Sequence, residues 1–184
     1  TNSTGYISDY TFNELKRIKV YGESVSDFYD GIVSLEEFLQ RFSGYDINFA
    51  IELKSANIEA DTVALIKKFG IEDRTTVTSF EYDYIKNVKL YDDTIRIGWL
   101  VNSDGVAEID KLKEIGGEEM APKAEMLTNE SIKKIRDAGI GVRAWGVFNT
   151  AIMKKIASLE IDGMTVNFPD RLNRYLTSSP TSAS

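Results

Sequence analysis

The sequence predicts an α/β protein of the (β/α)₈ TIM-barrel type that is incomplete, with about six of the eight strands in this chain. Short β-rich segments alternate with helical patterns, which favours right-handed βαβ units and a parallel sheet. The chain has 184 residues, whereas a barrel of eight strands typically needs about 250. We therefore expect the first strand–helix unit and the second strand to be absent.

The chain opens with two predicted helices. Thr11 and Ser34 are each followed three residues later by a glutamate, which is the spacing of a capping box at a helix N-terminus. After Ser34, apolar residues at positions 35, 38, 39 and 42 lie on one helical face. The first helix therefore precedes any predicted strand.

The remaining elements alternate between strands and helices. Short apolar or β-branched runs predict strands at residues 47–53, 75–80, 95–101, 119–121, 142–147 and 163–166. Periodic apolar residues predict helices at about residues 58–69, 82–90, 109–115, 132–138 and 152–159. Gly70 and Gly139 are typical residues at which a helix ends.

The domain organisation is predicted to be simple. Residues 1–176 are expected to form one barrel domain, and the polar, Ser/Thr-rich residues 177–184 a tail or linker. The chain does not begin with methionine and shows no signal-like segment, so we expect a processed or excised piece.

Composition excludes several classes of function. The net charge of −7 argues against a nucleic-acid-binding surface, and no apolar run approaches the roughly 20 residues needed to span a membrane. Without cysteine, disulfides and zinc–thiolate sites are impossible. Without histidine, the chain cannot form a Ser-His-Asp triad, a histidine acid/base pair or a histidine-ligated metal site. Any catalysis by this chain would use carboxylates, lysines, tyrosines or a metal ion held by oxygen ligands.

Two charged residues at the end of the first predicted strand are the main candidates for a site. Glu52 and Lys54 are two residues apart, so their side chains point to the same side of the strand. Parallel barrel strands are usually apolar, and barrel enzymes place their sites at the carboxyl ends of the strands. A carboxylate suits Mg²⁺ or Ca²⁺, and a lysine suits a phosphate. The alternative is an ion pair or a solvated rim.

Six motifs occur in one collinear order that covers nearly the whole chain. They are TNSTG at residues 1–5, SLEEFL at 34–39, IELK at 51–54, SF at 79–80, WGVFN at 145–149 and DGMTVNFP at 162–169. They are similar to the motifs T-N-G-T-G, T-L-E-E-hydrophobic-L, I-E-L-K, S-F, W-T-V-N and D-G-I-I-T-D-x-P. By these motifs the chain resembles the glycerophosphodiester phosphodiesterase family.

The resemblance implies a fold, a reaction and roles for three residues. The fold is a TIM barrel, and the reaction is hydrolysis of a glycerophosphodiester to glycerol 3-phosphate and an alcohol, with a divalent cation (Mg²⁺ or Ca²⁺) and two histidines. Glu52 is expected to be a metal ligand, and Lys54 and Trp145 are expected to bind substrate. For Trp145, a position in the barrel core is the alternative. Residues 79 and 80 either line the mouth of the barrel or end a strand.

The departures from the family pattern bear on activity. The family's H-R-G, E-x-D and H-D motifs, which supply both histidines and two carboxylate ligands, have no counterpart in the sequence. Gly146 stands where the family has threonine, and Asn167 where it has aspartate. We therefore expect the chain alone to be inactive and to need an N-terminal segment or an oligomeric partner. A barrel without histidines is alternatively a non-catalytic module that binds glycerol-phosphate polymers such as teichoic acid, or a structural part of a larger assembly.

Overall fold

Residues 1–46 form a small unit of short helices and one antiparallel strand pair. The computed structural model of the chain describes residues 1–21, 28–159 and 161–178, and these divide into two compact units, the second of which begins at residue 47. The first unit contains a 3₁₀ helix (Ile7–Asp9), α1 (Phe12–Leu15), β1 (Lys19–Tyr21), β2 (Phe28–Asp30) and α2 (Leu35–Phe42). Among the residues that the structure describes, strands β1 and β2 pair only with each other. The sequence did not predict them, because three-residue strands carry too little alternation to be recognised.

Both predicted capping boxes form in this unit. The backbone N–H of Glu14 donates to Thr11 Oγ1 at 3.4 Å, and that of Glu37 donates to Ser34 Oγ at 3.1 Å. In return, each glutamate carboxylate accepts a hydrogen bond from the backbone N–H of its capping residue. These reciprocal bonds satisfy donors that a helix N-terminus otherwise leaves free.

In the second unit, six parallel strands form a curled half-barrel. The strands are β3 (Phe49–Glu52), β4 (Thr75–Ser79), β5 (Arg96–Val101), β6 (Glu119–Pro122), β7 (Gly141–Val147) and β8 (Gly163–Val166). They lie in the sheet in sequence order, so that β3 and β8 are the edges of the sheet in the described part of the chain. All neighbouring strands are parallel. The predicted fold class, an incomplete (β/α)₈ barrel, is confirmed.

Helices follow the strands and cover one face of the sheet. They are α3 (Glu59–Phe69), α4 (Tyr82–Tyr91), α5 (Ile109–Glu114), α6 (Asn129–Asp137), α7 (Thr150–Ala157) and α8 (Pro169–Ser178). Helix α3 ends at Gly70, which adopts the left-handed conformation (φ 62°) as its position predicted. Helix α8 was not predicted, and it includes residues 177 and 178 of the predicted tail; the rest of that tail, residues 179–184, lies outside the described residues. Within the described ranges, no helix has the length and apolar character that crossing a bilayer requires.

The two faces of the sheet differ in polarity, and this difference places the site. Val77, Ile97, Met120 and Val142 point towards the helices and are fully buried, where they form the apolar core. The alternate residues point into the curve of the half-barrel, since strand side chains alternate between faces. Several of these residues are charged or polar, and they line cavities inside the curve.

Strand β7 is irregular near its carboxyl end. Its register with β8 shifts between Ala144 and Val147, and Gly146 within this segment has a φ of +77°. Such a bulge redirects the following side chains. A residue with a Cβ adopts this conformation only with strain.

Replacing Gly146 by alanine is expected to lower the free energy of unfolding by roughly 1–2 kcal/mol, the cost of placing a side chain in the left-handed region. Gly141→Ala, in the same strand, is the matched control, because Gly141 has no positive φ and an added Cβ would meet only ordinary contacts at 3.5 Å. We expect Gly141→Ala to stay within about 0.5 kcal/mol of the wild type. Urea denaturation of both variants measures the difference, and equal effects would show that the φ of Gly146 is unimportant.

Candidate active site

A cavity of about 370 Å³ opens at the carboxyl ends of the strands, inside the curve of the half-barrel. Residues from β3, β4, β5, β7 and β8, or from the loops directly after them, line it. Glu52, Lys54 and Trp145, the three site residues predicted from the sequence, are all among them. The fold therefore brings together residues that are more than 90 positions apart in the sequence. This end of a barrel is where barrel enzymes hold their active sites.

Glu52 and Lys54 lie where β3 ends. Glu52 is opposite Thr78 of β4, and the backbone N–H of Leu53 extends the ladder by donating to the Thr78 carbonyl at 2.8 Å. Lys54 Nζ is 3.5 Å from Glu52 Oε2, and the side chains of Lys54 and Glu52 are 76% and 35% exposed. The ion pair that was the alternative to a binding site therefore forms, and both of its members line the cavity. A pair this exposed contributes little stability, so it leaves Lys54 able to turn towards a ligand.

Trp145 is held in place from two sides. Its indole N–H donates to the Val101 carbonyl at 2.8 Å. Its ring packs against Phe80 in a T-shaped arrangement, with centroids 5.0 Å apart and an interplanar angle of 89°. Phe80 follows β4 and also lines the cavity, so both residues form an aromatic wall. Phe148, beyond the bulge of β7, adds a third ring to the cavity.

An arginine that sequence reasoning missed lies deeper in the half-barrel. Arg143 of β7 donates from Nε and Nη2 to Glu119 Oε1 of β6, at 2.9 and 2.7 Å, and from Nη1 to Thr165 Oγ1 of β8, at 3.1 Å. Gly98 makes room for this pair, because a Cβ at that position would lie 2.8 Å from Glu119 Oε1. Arg143 also lines a second cavity, of about 330 Å³, at the amino ends of the strands.

A signal for this network was present in the sequence. Arg143 alternates with apolar residues in a predicted barrel strand, the same feature that singled out Glu52. Glu119 is the first residue of β6, as the predicted strand at residues 119–121 implies. Its partner was unpredictable because it depends on the register between β6 and β7.

The described residues do not form a complete site for a divalent cation. Glu52 is the only carboxylate among the described residues that line the cavity. No group of three or more potential ligands from His, Cys, Asp and Glu lies together within the described ranges. Mg²⁺ and Ca²⁺ bind six or more oxygens, commonly including more than one carboxylate. Glu52 and the neutral oxygen of Asn167, which also lines the cavity, fit as part of such a set.

Fold and cavity together define an α/β-barrel protein with a partly charged, partly aromatic cleft at the carboxyl ends of its strands. Residues 1–171 match the model of the glycerophosphoryl diester phosphodiesterase family. The chain belongs to this family, and the resemblance found from its motifs is confirmed.

Individual relatives agree with this assignment. A glycerophosphodiester phosphodiesterase from Bacillus altitudinis is 30% identical over 187 residues, which cover 93% of this chain and 74% of that protein. Another, from Caldanaerobacter subterraneus subsp. tengcongensis, is 23% identical over 180 residues, covering 94% of this chain and 73% of that protein. The chain thus spans about three quarters of the length of each.

Solved structures show the same fold. The glycerophosphodiester phosphodiesterase from Agrobacterium tumefaciens matches with a TM-score of 0.77 at 20% identity, over 94% of this chain and 75% of that one. An Oleispira antarctica phosphodiesterase, solved in complex with the product sn-glycerol-3-phosphate, matches with a TM-score of 0.78 at 19% identity, over 95% of this chain and 73% of that one.

Proposed function

We propose that the chain forms the glycerol-phosphate-binding part of a glycerophosphodiester phosphodiesterase, which converts a glycerophosphodiester and water to glycerol 3-phosphate and an alcohol. Family membership and the names of the relatives support the reaction. The observation that carries the proposal is the meeting of Glu52, Lys54 and Trp145, from two separate family motifs, in one cavity. Since the chain has no histidine, proton transfer would be supplied by groups outside these 184 residues.

Lys54 is proposed to bind the phosphate. Its ammonium group is the more exposed member of a loose ion pair, so turning towards a phosphate oxygen costs little. A charge-assisted hydrogen bond to phosphate is stronger than the contact that Lys54 gives up. Trp145 is proposed to pack against the organic part of the ligand, because its ring is fixed by the Val101 carbonyl and Phe80.

Glu52 is proposed as one ligand of a Mg²⁺ or Ca²⁺ ion, which when bound would offset the negative charge of the phosphoryl oxygens. Its carboxylate is partly exposed at the cavity wall, as a ligand must be. Asn167 would add a neutral oxygen, and the remaining ligands would come from outside the described residues. The complementary groups would lie on an N-terminal segment or on an oligomeric partner.

Binding of sn-glycerol 3-phosphate, measured by calorimetric or NMR titration, tests the proposal on the chain itself. Lys54→Met keeps most of the aliphatic stem and removes the charge, so we expect it to weaken binding about fivefold to tenfold. Lys113→Met, on the exposed side of α5 and away from the cavity, is the matched control and should leave the affinity unchanged. An equal loss in both variants would indicate nonspecific attraction of the anion, and no loss in Lys54→Met would remove Lys54 from the site.

A second candidate is the non-catalytic module that binds glycerol-phosphate polymers such as teichoic acid. The complete lack of histidine favours it, because recognition by Lys54 and Trp145 needs no proton transfer. The two functions predict different results for hydrolysis of the diester when histidine-bearing groups are supplied to the chain. Turnover of the diester then supports the enzyme, and binding without turnover supports the module.

A further inference from the structure

The positive charge of the chain is concentrated in its C-terminal part. Residues 129–184 contain eight basic and five acidic residues, a net charge of +3, whereas residues 1–128 contain 14 basic and 24 acidic residues, a net charge of −10. The described part of this basic region includes α6, β7, α7, β8 and α8. A surface formed by these elements can therefore attract anions although the chain as a whole is acidic.

An apolar cavity of about 180 Å³ is lined by residues of α7, β8 and α8 and of the loop before β8. It shares no lining residue with the cavity at the carboxyl ends of the strands. Leu172 and Leu176 of α8 lie in its wall, opposite Ile156 of α7 and Met164 of β8. Leu176 is 53% exposed, and α8 has no buried side chain. A partner that covers this cavity removes apolar surface from water.

Three cations beside the cavity have no carboxylate partner within the described ranges, and we call Lys154, Lys155 and Arg171 the basic group. Lys155 and Arg171 each directly precede a residue that lines the cavity. Lys154 Nζ lies 5.8 Å from the centroid of the Tyr175 ring, which places it beside α8. Other exposed cations of this region, such as those of α6 and the second arginine of α8, are paired with carboxylates. The basic group is therefore the part of this surface that can take up an external anion.

Helix α8 has the residue pattern of a helix that lies along a membrane surface. Leu172, Tyr175 and Leu176 are three or four residues apart and share one side of the helix, whereas Arg171 and Arg174 are exposed. Helices of this kind bury their apolar side at the boundary of the acyl chains, and their basic residues contact anionic head groups. The long stems of lysine and arginine let the charges stay at the level of the head groups.

We propose that α7 and α8 form a docking surface for an anionic lipid bilayer, with the basic group at the phosphates of the head groups and Leu176 inserted below them. A bilayer offers many negative charges directly beside an apolar layer, which matches the basic group and the cavity together. A second copy of the chain on the same surface would instead bring two basic groups together, because the same patch meets itself in a two-fold dimer. The proposal does not depend on the proposed function, since this surface and the cleft share no residue.

Sedimentation of the chain with vesicles tests the role of charge, with vesicles of phosphatidylcholine alone and of equal parts of phosphatidylcholine and phosphatidylglycerol. We expect at least about thirtyfold tighter binding to the anionic vesicles at low ionic strength, and loss of this preference in high salt, which screens the charges. Lys154→Gln/Lys155→Gln should weaken binding to the anionic vesicles about tenfold. Lys133→Gln/Lys134→Gln, which removes the same charge from two adjacent but paired lysines of α6, is the matched control and should weaken it less than about twofold.

Leu176→Ser tests the apolar part of the surface. The substitution removes the side chain that is expected to enter the acyl boundary, so we expect about fivefold weaker binding to the anionic vesicles. Leu90→Ser, at a 75% exposed position on α4, is the control and should leave binding unchanged. All of these variants alter exposed side chains, so each is expected to fold like the wild type.

Equal binding to neutral and anionic vesicles, or equal losses in the two lysine double variants, would overturn the proposal. An unchanged affinity in Leu176→Ser would also overturn it, because the cavity wall would then not touch the bilayer. Analytical ultracentrifugation examines the other occupant. Dimers that Leu176→Ser dissociates, together with no binding to vesicles, would overturn the proposal and assign the cavity to a second copy of the chain.

Discussion

Purified alone, the 184-residue chain is expected to release no choline from glycerophosphocholine above the uncatalysed rate, with or without added Mg²⁺ or Ca²⁺. General acid–base catalysis needs groups whose pKa lies near the working pH, and histidine, the usual group, is absent from the sequence. Within the described ranges, the carboxylates with altered pKa values are shifted down, as at Asp92, whose carboxylate accepts hydrogen bonds from Lys67 and Thr94. Burial raises the pKa of Tyr82, and the carboxylate of Asp92 raises that of Lys67. Each of these shifts moves the pKa of the group further from neutral pH.

A coupled choline assay, with an active family member as the positive control, measures this outcome. The wild-type chain and Glu52→Gln should be equally inactive. Cation-dependent turnover that accompanies the chain through purification and is lost in Glu52→Gln would contradict the prediction. It would show that Glu52 and the other residues of this chain hold the cation and complete the reaction without histidine.

Arg143→Met is expected to cost about 3 kcal/mol of unfolding free energy, the largest stability effect we predict for a single substitution. The side chains of Arg143 and Glu119 are only 18% and 13% exposed. Removing the guanidinium therefore leaves a carboxylate in the interior without its partner, and Thr165 loses a donor. Urea denaturation with linear extrapolation measures the change.

The double variant Glu119→Met/Arg143→Met tests whether the cost of Arg143→Met arises from the unpaired carboxylate of Glu119. With both charges removed, no uncompensated charge remains, so we expect the double variant to be more stable than Arg143→Met alone. Lys133→Met, which breaks the 2.6 Å surface pair with Asp137, is the control for an exposed pair and should cost no more than about 0.5 kcal/mol. A cost for Arg143→Met as small as that of the control would show that water, and not Arg143, compensates Glu119.

The fold was predictable from the sequence where a short apolar run coincides with a strand of the parallel sheet. The six parallel strands lie within a few residues of their predicted places, because each is a short apolar run separated from the next by a helical pattern. The strands β1 and β2 were missed because each has three residues and is defined only by pairing with the other. Helix α8 was missed because Pro169 and the polar residues after it resemble a turn, although proline is well placed in the first turn of a helix.

Residues of the candidate site were predictable only where a charged side chain occurs in an otherwise apolar strand. Glu52 and Lys54 are charges at the end of a strand that is otherwise apolar, and this is visible without a structure. The link between Arg143 and Glu119 needs the pairing of two strands and the space left by Gly98, neither of which has a local pattern. Phe148 reaches the cavity through a backbone bulge, and a bulge changes the alternation on which strand predictions depend.

The open edges of the sheet bear on the colloidal behaviour of the chain. Within the described ranges, β3 and β8 each have a sheet neighbour on one side only, so their outer backbone N–H and C=O groups can pair with strands of other molecules. Like charges on a chain with a net charge of −7 oppose such encounters, but at 1 M salt the screening length falls to about 3 Å. Solubility is therefore set by a competition between edge pairing and charge repulsion, and it decreases as ionic strength rises.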